Sequence, residues 1–114
     1  MSMLNTMIAN TSKVSFIDYD PGDSRIVECK YAILDYPNDR QLLFIYGFMT
    51  NINEIGTVNL KLPKAPKVTS EIYLYKFGQF NPKYNLVFAP ATTVQINIDS
   101  TLFGDGYFFG MYEI

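Results

Sequence analysis

The chain is 114 residues and 13.0 kDa with a hydrophobic fraction of 48% and charged residues at 18%, enough apolar material for one core and too little length for two domains. Nine basic against eleven acidic residues leave a net charge of -2, without the basic excess of nucleic-acid binders. Histidine is absent, which excludes Ser-His and Cys-His nucleophile pairs, histidine general bases and histidine-containing metal sites.

The N-terminal stretch, residues 1–13, carries no basic n-region and no long apolar run, so a secretory signal is not expected. Met3, Leu4, Met7 and Ile8 form a short apolar stripe at helical spacing, read as an N-terminal arm or helical turn that docks on this domain or on a neighbouring subunit. From residue 14 to 114 the pattern has period two, interrupted by turn residues every eight to twelve positions, and this span is expected to be one β-sandwich domain.

A first strand is expected over Val14–Tyr19, closed by Asp20-Pro21-Gly22-Asp23. In the second, Ile26–Asp35, Val27, Cys29, Tyr31 and Ile33 are assigned to the core face, and Glu28, Lys30 and Ala32 to a mostly wet face. Pro37-Asn38-Asp39 then turns the chain into Arg40–Thr50, which is apolar on both faces and reads as a central strand covered on two sides. A helix behind an Asn38 or Asp39 cap is the alternative, opposed by Gly47 and the aromatic content. Val58–Leu62, Glu71–Phe77, Tyr84–Phe88, Val94–Asp99 and Tyr107–Ile114 complete about eight strands. No strand-helix alternation occurs, so Rossmann, P-loop and TIM architectures are excluded; the expected fold is all-β, a single antiparallel sandwich of jelly-roll or immunoglobulin-like kind.

The segment from Asn38 to Thr50, with Gly56-Thr-Val-Asn-Leu60 behind it, is similar to the stretch that ends the SET domain in the Rubisco-methyltransferase-like group. The resemblance covers about a fifth of the chain and implies S-adenosylmethionine chemistry. That chemistry rests on an Asn-His pair and a glycine-rich segment which this chain lacks, so no site residue carries over.

Asp18, Asp20 and Asp23 around Gly22 resemble part of a calcium loop, but Pro21 occupies a ligand-bearing place and a turn explains the run. Asp35 with Asp39, and Asp99 with Asp105, are carboxylate pairs near turns with no sign of the burial that would raise a pKa. Cys29, the only cysteine, sits in an apolar alternation and reads as a buried hydrophobe. Charge is uneven along the chain, acidic over residues 18–39 and lysine-rich over 61–83, so complementary patches are expected to dock copies head to tail. With only Arg25 and Arg40 as arginines, phosphate recognition is not expected.

Nine Tyr and nine Phe exceed the needs of a small core. The candidates for surface contact are Tyr73, Tyr75, Phe80, Asn81, Tyr84 and Phe103. The expected function is a non-enzymatic structural or interaction module that self-assembles or docks on a larger protein assembly, with a viral or phage particle as its setting. A carbohydrate-binding sandwich using the same tyrosines is the alternative. No metal, cofactor, nucleic acid or membrane partner is expected.

Overall fold

The computed structural model describes residues 15–76 and 91–114, together with the strand course of residues 84–88. The fold is all-β and sandwich-like, with strands β1 (Ile17–Asp18), β2 (Ile26–Tyr36), β3 (Arg40–Ile52), β4 (Gly56–Lys61), β5 (Ser70–Lys76), β6 (Tyr84–Phe88), β7 (Thr93–Ile98) and β8 (Gly104–Glu113). A 3-10 turn, Ser100–Leu102, lies between the last two, with Asp99 as its N-cap. The N-terminal arm read in residues 1–13 lies outside the described residues.

Every strand pairing is antiparallel, and the strands divide unequally. One sheet has six in the order β1-β2-β3-β8-β5-β6, and the other is the pair β4-β7. Period-two alternation sets the core. From the large sheet come Leu43, Ile45 and Met49 of β3, Ile72 and Leu74 of β5, and Phe108 and Tyr112 of β8; Val58, Leu60, Val94, Ile96 and Ile98 close the cluster from the small sheet. The outward residues of the small sheet, Thr57, Asn59, Lys61, Thr93, Gln95 and Asn97, are polar and exposed. Two tyrosine hydroxyls tie loops to the core: Tyr19 donates to the Lys61 carbonyl (2.8 Å) and Tyr112 to the Lys64 carbonyl (3.0 Å).

The strand reading of residues 40–50 holds, and the strand continues to Ile52. Other expectations change. The first strand contracts to Ile17–Asp18. A register shift between Ile26 and Glu28 turns Ile26 inward and leaves Val27 59% exposed, because a bulge reverses the alternation on one side of itself. Ala32, assigned to the wet face, is buried there opposite Phe44. The turn after β2 comprises Pro37, Asn38 and Asp39, with Asn38 (φ 70°) and Asp39 (φ 56°) both left-handed, a region Asn and Asp tolerate better than most residues.

Two glycines let the strands close up. Gly47 on β3 faces Phe108 on β8, whose ring lies where a Cβ would be: the nearest atoms would be Phe108 Cζ at 2.5 Å and the Glu28 carbonyl oxygen at 2.8 Å. Gly106 similarly leaves room for the Tyr75 carbonyl, 2.6 Å from a notional Cβ.

Candidate functional site

The inner face of the large sheet is sealed by β4 and β7. Its outer face is lined with aromatic rings, and the register says why they meet. Tyr46 pairs with Phe109 and Phe109 with Tyr73, forming one row across β3, β8 and β5; Phe48, Tyr107 and Tyr75 form the next. Phe44 and Met111 pair in the row on the other side of the first. Adjacent strands lie about 4.8 Å apart, so large side chains in register must touch.

The rings touch as stacked and edge-on pairs. Tyr75 stacks on Tyr107 (centroids 5.0 Å, planes 4° apart) and on Phe109 (5.6 Å, 10°), and Phe109 stacks with Phe44 (6.5 Å, 14°) and tilts against Tyr73 (5.7 Å, 37°). Phe16, just before β1, lies edge-on to both Phe44 (6.0 Å) and Tyr46 (5.3 Å). Near-parallel planes at close to the strand spacing mean that the rings stand up from the sheet with their faces turned to one another, so edges point outward. Stacking on a sugar ring or a base needs an open ring face, and the faces of Tyr75 and Phe109 already meet neighbours.

Phe16 lies across part of this face and is itself 48% exposed, with Met111 54% exposed. The remaining rings are half-buried. Charged residues stand at two margins of the face. At the β2 margin Lys30 pairs with Asp18 (3.6 Å) and Glu28 (3.7 Å). At the β5 margin Glu71 accepts a hydrogen bond from Tyr73 Oη (3.0 Å), which raises the phenol pKa.

Of the residues singled out by sequence, Tyr73 and Tyr75 lie on this face and are brought together with Phe109 and Tyr107. Phe103, at the C-cap of the 3-10 turn, is partly buried and packs against the core cluster instead. Tyr84 lies on β6, with its side chain outside the described residues, and Phe80 and Asn81 lie outside them altogether. Sequence reasoning put Phe44, Tyr46 and Phe48 on a strand expected to be covered on two sides, and gave Tyr107, Phe109 and Met111 no role beyond membership of the last strand. The available signal was that β3 and β8 are apolar on both faces, whereas only one face of each is covered by β4 and β7.

Of the carboxylates that raised chemical questions, Asp20, Asp23, Asp35, Asp99 and Asp105 have hydrogen-bond partners. Asp20 accepts from the Gly22 amide (2.8 Å), Asp35 from Gln41 Nε2 (2.7 Å), Asp99 from the Thr101 amide (2.8 Å) and Asp105 from the Asn51 amide (3.0 Å). Asp23 receives both Nε (3.0 Å) and Nη2 (2.8 Å) of Arg25, and the side-chain hydrogen bond from Arg25 holds its carboxyl below the usual carboxylate range. Arg25 also donates to the Thr57 carbonyl (2.9 Å). Arg40 forks onto Glu113, and this hydrogen bond likewise lowers the Glu113 carboxyl. Among the described residues no three His, Cys, Asp or Glu side chains are grouped to hold a metal ion. An open concavity of about 440 Å³ lies along residues 35–41 at the β2-β3 turn, where Arg40 rests over the Tyr36 ring (4.9 Å). Cys29 is 5% exposed, and burial pushes its thiol up to about 12.

The acidic and the lysine-rich segments of the chain touch at one point in the fold. The acidic turn lies beside the first lysine of the basic segment, with the Lys61 amide donating to the Pro21 carbonyl (3.1 Å), and Lys67 approaches Glu113 (3.9 Å). The chain matches no protein-family model, no curated protein and no solved structure.

Proposed function

We propose that this chain is a non-enzymatic interaction module that docks on protein through the aromatic outer face of its six-stranded sheet. The observation that carries the reading is the contrast between the two outward surfaces. The small sheet presents Thr57, Asn59, Lys61, Gln95 and Asn97 to water, whereas the large one presents Phe44, Tyr46, Phe48, Tyr107, Phe109 and Met111, with Tyr73 and Tyr75 beside them. A contiguous apolar patch rimmed by charge is the usual signature of a protein contact, and Tyr, Phe and Met are enriched in such contacts. The setting we propose is a multi-copy assembly such as the particle of a virus or phage. The standing ring geometry favours this reading over glycan stacking.

The test is a charge placed on the face without touching the core. Met111→Glu, at a half-exposed position, is expected to leave the melting temperature within about 3 °C, the range of surface substitutions. It is expected to abolish the assembly in which the wild-type chain is isolated, read by light scattering after size-exclusion chromatography. An assembly of unchanged mass from the folded variant overturns the reading.

A further inference from the structure

We draw no further inference here: the strongest candidate, the aromatic outer face of the six-stranded sheet around Phe44, Phe109 and Tyr75, belongs to the contact surface already described, and nothing in the structure shows what covers it.

Discussion

Replacing Gly47 with alanine adds one methyl group where Phe108 already sits. The notional Cβ falls 2.5 Å from Cζ and 2.7 Å from Cε1 of that ring, and 2.8 Å from the Glu28 carbonyl oxygen, all shorter than carbon contacts of about 3.5–4.0 Å at their optimum. Phe108 is fully buried, so its ring moves only if the neighbouring core moves too. Overpacking of this kind costs about 1–3 kcal/mol, and the carbonyl clash argues for the upper half. Against it stands the gain from removing a glycine from a strand interior, about 0.5–1 kcal/mol, so the net expectation is a loss of about 1–2.5 kcal/mol. Shortening the opposing ring separates the two sources of clash. In a Phe108→Leu background the aromatic atoms are gone while the Glu28 carbonyl remains, and the cost of Gly47→Ala is expected to fall by about 1 kcal/mol, a coupling ordinary for residues in contact. The assay is urea denaturation of the four proteins of the cycle at one fixed protein concentration, because association makes apparent stability concentration-dependent. Equal costs in the two backgrounds, or a Gly47→Ala variant more stable than wild type, would refute the argument that this ring approach requires glycine.

Cys29 is expected to resist aromatic disulfide reagents at pH 8 under native conditions and to react fully once unfolded; rapid stoichiometric labelling of the native protein would contradict its burial and raised thiol pKa. The Asp23 carboxyl is held below its unfolded value by Arg25, so its contribution is present above about pH 4 and lost as pH falls through the depressed folded value. Asp23→Asn should therefore flatten the loss of stability between about pH 5 and pH 2, and an unaltered acid limb would count against the fork. Asp39→Gly relieves a left-handed residue at the β2-β3 turn and is expected to raise stability by about 0.5 kcal/mol, the net of removed strain and added unfolded-state entropy; a loss above 1 kcal/mol would show that its side chain is required. Tyr19→Phe deletes the hydrogen bond to the Lys61 carbonyl and should cost about 0.5–1.5 kcal/mol in the same denaturation assay.

Alternation and turn chemistry are local, and they determined the strands. Arg40–Ile52 declares itself by aromatic and β-branched content around Gly47, and Tyr84–Phe88 falls where the pattern puts it. The buried state of Cys29 and the absence of histidine chemistry likewise follow from residues and their neighbours. The bulge at Val27 was not legible, because a register shift depends on the partner strand. Nor was the unequal division of the strands: pairing between β3 and β8 joins residues about sixty positions apart, and no local pattern records which strands of a sandwich share a sheet. That division decides the surface. Tyr73 and Tyr75 could be picked from sequence as ring-bearing neighbours, but only the pairing of β5 with β8 and of β8 with β3 puts them in one field with Phe109, Tyr107 and Tyr46. The sequence by itself made the central strands apolar on both sides. Tertiary structure decided that the two-stranded sheet would stand on one side of them, and that the rings of the other side would meet in one field.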